Sequence, residues 1–518
     1  MKQTIRLSSI LFCIGVMLGV AGCYDDKGNY DYTDINTPLI DTTGFVVTYA
    51  VEQFQNLVID PPIQYGGDTE NLSYEWLLYT NNTSSQAPPS SVVASTRTLD
   101  RPMNETPGGY YVELVVTDTR TGIKNNMRFT VTIQAAVDIG WLVLHSRDGH
   151  SDVDFIVTKN AFPTAAAEKW LRNMYSGANG EALAGEGRFI TQTRNSIYYL
   201  NYVNIGTSSS FVRASGTDLF KVNDPSDIFL RGPMAVSSQA HAAYGYFEGY
   251  ISNGSLYMIH YGIGAIRAPA TIGYYAPVAY ASTLAPFVVD LTTAAGTTGA
   301  SGANGGVFYD TQNRKFVRVP LAFSQPVITA FTTQVGAAFD VNNVGKDLLY
   351  MERAYQDRTY AFFRDVTGDG RWLYIADFYN SDAGVVGKAV YDMTGLPDIA
   401  NAKFYQCGDL SNLLYYATDR TIYSFDYSGS GLTRVAYDGF AGGEVITSMK
   451  IYKPKLFNNL QDVNNRLLYV ATWDEASQTA KLYEFAIDAN GGTITPTPLN
   501  VFEGFDGKIM DMCRKVRG

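Results

Sequence analysis

Three stretches of this sequence hold residue types that could do chemistry. "HSRDGHSDVD", residues 145–154, gathers His145, Asp148, His150, Asp152 and Asp154, the ligand types of a transition-metal site. Successive side chains on a strand point to opposite faces, so His145 and His150 diverge. A hairpin with an Arg-Asp-Gly-His turn accounts for the same letters. "DVTGDGRW", residues 365–372, sets Asp365 and Asp369 before a glycine, like the first part of a calcium loop. The distal acidic ligand is missing at its usual spacing, and Asp377 is the nearest substitute. A glycine-rich hairpin turn is the competing reading, and calcium is the one cofactor suggested. The third set is aromatic. Tyr274, Tyr275, Trp372 and Trp473 fall near expected loops and turn edges, where flat rings with a polar handle suit a sugar or a peptide. Edge packing between sheets explains any one of them alone.

No HExxH, GxSxG or CxxC…CxxC pattern occurs. With 50 acidic residues in the chain, no carboxylate pair stands out as a glycosidase dyad. The expectation is a protein that binds without catalysing. A net charge of −11 argues against nucleic acid and against an anionic membrane face.

The elements that must position these groups are strands. Charged residues make up only 17%, while Tyr (37), Phe (27) and Gly (48) are abundant, the profile of an all-β chain with many turns. From 39 to 135 the pattern alternates. Leu72, Tyr74, Trp76 and Leu78 share one parity; so do Tyr110, Val112, Leu114 and Val116, and Phe129, Val131 and Ile133. Period two with one apolar face is a half-buried strand, and a run of such strands makes a small β-sandwich.

From 137 to 518 a strand–turn–strand unit recurs. Hairpins begin near 140, 188, 306, 347, 412 and 466, several of them opening on Leu-Leu-Tyr. Such spacing predicts a β-propeller of about seven blades, with stacked sandwiches as the alternative. Residues 268–289 carry no charge, but Pro269, Pro277, Pro286 and Gly273 break any helix there. Residues 291–306, rich in Gly, Ala and Thr, read as a loop. Cys407 and Cys513 are the cysteines beyond the N-terminal region, and whether they pair is left open.

The N-terminus carries Lys2 and Arg6, then the apolar run Ile10 to Val20, too short to span a bilayer as a mature helix. Val20-Ala21-Gly22-Cys23 resembles the bacterial lipobox, which implies a leader over 1–22 and a lipid on Cys23. Asp25 and Asp26 resemble the surface-export signal of Bacteroides-type lipoproteins, and residues 23–38 form a tether. "YEW" and "YYVELVVTD" resemble PKD-type immunoglobulin-like domains, although the usual "FGDG" turn is missing. With "CYDDKGNYDYTDIN", "GWLVLHSRDG" and "GKIMDMCRK" in one order, the chain resembles the PKD-like family of Bacteroides-type lipoproteins.

That resemblance implies an outer-membrane lipoprotein facing outward, an accessory to a SusC/SusD-type transporter, that captures a glycan or peptide. A propeller-fold surface hydrolase or lyase is one alternative, and a structural spacer is another, because a fold alone does not choose a function.

Overall fold

The computed structural model describes residues 36–81, 90–163, 165, 167–195, 200–230, 236–244, 247–260, 274–289, 304–320, 326–332, 335–378, 386–429, 431–454 and 463–516. Cys23, Asp25, Asp26 and most of the tether lie outside these residues. So does most of the Gly-, Ala- and Thr-rich stretch at 291–306. The chain divides into two compact units, with the second taking over at Gln134.

The first unit is a β-sandwich. One sheet runs in the order Thr48–Glu52, Lys124–Gln134, Gly108–Asp118, Leu72–Thr80 and Ser91–Ala94. Two short antiparallel pairs oppose it: Asn56–Ile59 with Leu99–Pro102, and Leu39–Ile40 with Ile63–Gln64. The alternating residues fill the space between the sheets. Trp76, Leu114, Val116, Phe129 and Val131 are all fully buried. The Trp76 ring lies 6.0 Å from Phe129, and its indole N–H donates to the carbonyl of Thr96 at 2.8 Å, so this large ring is buried without leaving its polar atom unsatisfied. Asp118 opens the turn to the next strand. Its carboxylate accepts the Arg120 and Thr121 amides, and Gly122 takes the left-handed conformation that closes the turn.

The second unit is a propeller of seven blades among the described residues. Blade 1 runs from Lys508–Lys515 at the axis through Gly140–Arg147 and His150–Val157 to Lys169–Leu171. Blade 2 runs outward through Gly187–Asn195, Leu200–Thr207, Phe211–Ser215 and Lys221–Asn223. Blade 3 consists of Ser238–Tyr244, Phe247–Ser252, Ser255–His260 and Ala276–Pro277. Blade 4 pairs Asn304–Asp310 with Lys315–Pro320. Bridges from Leu284 and Val289 add its inner side and one from Thr329 its outer side.

Blade 5 is built from Asp347–Arg353, Thr359–Arg364, Arg371–Ala376 and Gly387–Asp392. Blade 6 is built from Phe404–Cys407, Leu413–Ala417, Ile422–Asp426 and Thr433–Tyr437. Blade 7 is built from Glu444–Ile451, Leu467–Asp474, Thr479–Ala486 and Asn500–Glu503. The middle strands are apolar on both faces because each blade is covered by a neighbour on either side. Leu413–Ala417 is buried at every position.

All six expected hairpins are antiparallel pairs, but they are not one repeated unit. Those at 188 and 347 join the first and second strands of their blades, while those at 140, 306, 412 and 466 join the second and third. The rhythm was visible in the sequence and its phase was not. Cys407 and Cys513 are both free thiols. Among the described residues no helix is long and apolar enough to cross a membrane.

Asp310 ties blade 4 together at its hairpin turn. Its carboxylate accepts Tyr280 Oη (2.5 Å), Ser282 Oγ (2.6 Å) and the amides of Gln312 (3.0 Å) and Asn313 (2.8 Å). Burial pushes its pKa up, but these donors favour the charged form and hold it at about 2. A carboxyl depressed in the folded state contributes stability that is fully present above its unfolded pKa and is lost as pH falls through the folded one. We therefore expect Asp310→Asn to destabilise the propeller by about 2 kcal/mol at neutral pH. The gap to wild type should close between about pH 4 and pH 2 in urea titrations.

Candidate functional site

In each blade the turn between the second and third strands lies at one end of the ring, with the link from the outermost strand to the next blade. The connection between the third and fourth strands lies at the other end. Trp372 follows the turn after Thr359–Arg364, and Trp473 precedes the turn after Leu467–Asp474, so both belong to the first end. Tyr274 and Tyr275 precede the outermost strand of blade 3 and belong to the other. The four aromatic residues therefore do not share one surface.

Their exposure separates them further. Tyr275 is fully buried and Trp473 nearly so, with its indole N–H on Glu475 Oε2 at 2.6 Å. Trp372 is half-buried. The Lys346 ammonium sits 4.3 Å from its ring centroid, and its indole N–H donates to Asp365 at 3.1 Å. Tyr274 is exposed. These positions meet turn edges, as the sequence implied, but in three of the four the ring or its polar handle is engaged within the fold.

The two metal candidates are likewise engaged. Asp365 pairs with Lys346 and accepts the Trp372 indole, which makes it the partner of a cation already present in the chain. Asp369 offers its backbone carbonyl to Arg371. In the other stretch the pairing of His145 with Asp152 and of Arg147 with His150 puts both histidines on one face of the sheet, against the expectation that they diverge, because the turn between the strands resets the parity. They differ in burial instead: His145 is buried against Asp154 (Nε2 to Oδ1, 3.0 Å), while His150 is exposed at the turn. Asp154 also accepts the Trp170 indole and the Asn173 amide, and Asp152 accepts the amides of Tyr175 and Ser176 at the start of a short helix. Among the described residues no group of three or more His, Cys, Asp or Glu is placed to hold a metal.

A dense buried polar cluster lies between blades 2 and 3, and the sequence did not signal it. Arg213 donates to Glu248 at 2.6 Å and to Asn204 at 3.2 Å. Tyr275 Oη donates to Glu248 at 2.7 Å and lies 2.9 Å from His241 Nε2, and His241 Nδ1 meets Thr191 Oγ1 at 2.6 Å. Burial lowers the His241 pKa despite the nearby Glu248 carboxylate. A closed network of this kind fixes blade alignment and is sealed from any ligand. Breaking one member of a buried ion pair strands the other charge, so Arg213→Met should cost about 3–5 kcal/mol. The double variant with Glu248→Gln should recover much of that loss, read as a double-mutant cycle by urea unfolding.

One open recess does lie at the ring end that carries Trp372 and Trp473. It is a groove of about 650 Å³ between the link from blade 5 into blade 6 and the turn of blade 6. Its lining includes Asp398 and Asn401 from the link into blade 6, Lys403, and Thr418, Asp419 and Arg420 from the blade 6 turn. Asp398 is held in the left-handed conformation (φ 50°) and accepts the Tyr423 hydroxyl at 2.7 Å. Lys403 pairs with Asp419 at 2.6 Å, and Arg420 donates to the carbonyls of Phe440 and Ala441. Arg371, next to Trp372, donates to the Ala400 carbonyl and so ties the blade 5 edge to the groove wall. The lining thus holds two cations and two carboxylates together with the amide of Asn401 and the hydroxyl of Thr418. Turn residues scattered over the sequence carry no motif, which is why this groove was not legible there.

The sequence model of the PKD-like family matches residues 23–187. The match spans the sandwich and runs through the first blade into the start of the second. No curated protein matches the chain. Among solved structures, a quinonprotein alcohol dehydrogenase-like protein from Bacteroides thetaiotaomicron aligns over 92% of this chain and 99% of its own, at TM-score 0.51 and 13% identity. That likeness is one of fold. Kluyveromyces lactis Hsv2p aligns over 71% of this chain and 97% of its own, at TM-score 0.38 and 9% identity. PorZ, a surface component of the type-IX secretion system of Porphyromonas gingivalis, covers 76% of this chain and 66% of its own, at TM-score 0.25 and 12% identity.

Proposed function

We propose that this protein is a lipid-anchored surface protein whose propeller binds an extracellular polymer fragment, glycan or peptide, without cleaving it. The groove beside the blade 6 turn carries this reading. Its volume falls in the range of small-ligand sites. Its walls set two cations and two carboxylates beside about as much apolar surface, a mixture that suits a hydroxyl- or amide-bearing chain better than a polyion. The anchor at Cys23 and the export role of Asp25 and Asp26 rest on the sequence, and the family match that begins at residue 23 is consistent with Cys23 as the first mature residue. Service to a SusC/SusD-type transporter in the outer membrane extends the same reading.

Titration calorimetry of the mature chain against polysaccharide fragments and protein digests tests the binding, with product analysis by mass spectrometry alongside. We expect weak binding, in the micromolar to millimolar range of about −4 to −8 kcal/mol. Arg420→Ala should weaken it by about 1–3 kcal/mol. New products that persist after repurification would instead favour the hydrolase or lyase. A complete lack of binding would favour the spacer.

A further inference from the structure

The open face of the sandwich sheet carries a second arrangement that the groove does not explain. Side chains of one parity point outward from its three longest strands. Tyr79 and Tyr111 are direct cross-strand partners, as are Glu113 and Arg128. The two tyrosine rings lie side by side, 5.7 Å between centroids, and both are half-buried. The Arg128 guanidinium sits 4.9 Å from the Tyr111 centroid and 5.6 Å from that of Tyr79. Tyr79 Oη donates to Glu113 Oε2 at 2.6 Å, and Asn126 Nδ2 donates to the other oxygen of the same carboxylate. Burial and the Glu113 carboxylate push the Tyr79 hydroxyl up to about 12, so it stays a donor.

The rings are thus held in place before any ligand arrives, which removes part of the ordering cost of binding. Aromatic faces stack on the C–H faces of pyranose rings, while the surrounding guanidinium, carboxylate and amide can meet hydroxyl groups. The charges on this face balance. Lys124 and Arg128 point outward with Glu75 and Glu113; of the four, Glu113 is half-buried and the others are exposed. A balanced face has no net field to gather a polyanion or a basic peptide.

We propose that Tyr79, Tyr111 and Arg128 form a platform for a neutral glycan chain, separate from the propeller groove and independent of its role. The test uses the whole mature chain with maltohexaose, laminarihexaose, cellohexaose and xylohexaose as neutral probes. Alginate oligomers and a casein digest serve as charged and peptide probes. At least one neutral hexasaccharide should bind. Tyr111→Ala should weaken that binding about tenfold, while Tyr111→Phe, which keeps the ring, should retain it and show that the strand still folds. Arg420→Ala in the groove should leave this component unchanged. The platform is overturned if no neutral probe binds, or if Tyr111→Ala leaves binding intact. It is also overturned if only alginate or casein peptides bind. Loss through Arg420→Ala alone would sink the platform and sustain the groove.

Discussion

The propeller depends on one pairing: Lys508–Lys515 against Gly140–Arg147. Each blade buries its faces only against its neighbours, so an open ring would leave two apolar faces in water. The closing strand sits innermost in blade 1 and connects the two ends of the domain. Its Asp511 pairs with Lys450 of blade 7 at 2.9 Å and accepts the Ile190 amide of blade 2 at 3.1 Å. One carboxylate therefore meets both blades that flank the closure. Lys515 adds a bond to the Asp138 carbonyl just before blade 1 begins.

Closure also accounts for where the ionisable groups are found. Glu484 of blade 7 is fully buried and accepts Thr158 Oγ1, Tyr469 Oη and the amides of Asn160 and Asn500. Thr158 and Asn160 follow the third strand of blade 1, so this carboxylate again joins the first blade to the last. Arg213 and Glu248 do the same between blades 2 and 3. A ring of tilted sheets brings polar atoms together at every seam, and each buried one needs a partner. The chemistry-bearing residues are in this way drawn into alignment of the blades. The groups that the proposed binding would use lie outside these seams, on turns, such as Lys403, Asp419 and Arg420, and on the sandwich sheet.

The sandwich was the most legible part of the sequence, because a period of two with one wet face is a local signal. Trp76, Leu114 and Phe129 fell in the core as their parity required. The propeller was legible as a rhythm of hairpins. Blade 3 was missed, since its strands "SQAHAAY" and "FEGYIS" are rich in small residues and lack the Leu-Leu-Tyr opening. The candidate sites were least legible. A tryptophan at a turn edge reads the same whether its ring faces solvent or lies under Lys346, as Trp372 does. Asp365 at the head of a glycine-rich turn reads as a calcium ligand until a lysine from 19 residues earlier is found on it. Those distinctions are set by residues far along the chain, and no local pattern encodes them.

Hydrogen exchange on the closing strand tests this account most directly. If Lys508–Lys515 completes the ring, its amides should exchange only through opening of the whole propeller, with protection equal to that of Gly140–Arg147, Gly187–Asn195 and Glu444–Ile451. Fast exchange of this strand, while those neighbours stay protected, would show a ring that holds without it and would contradict the dependence of the fold on its closure.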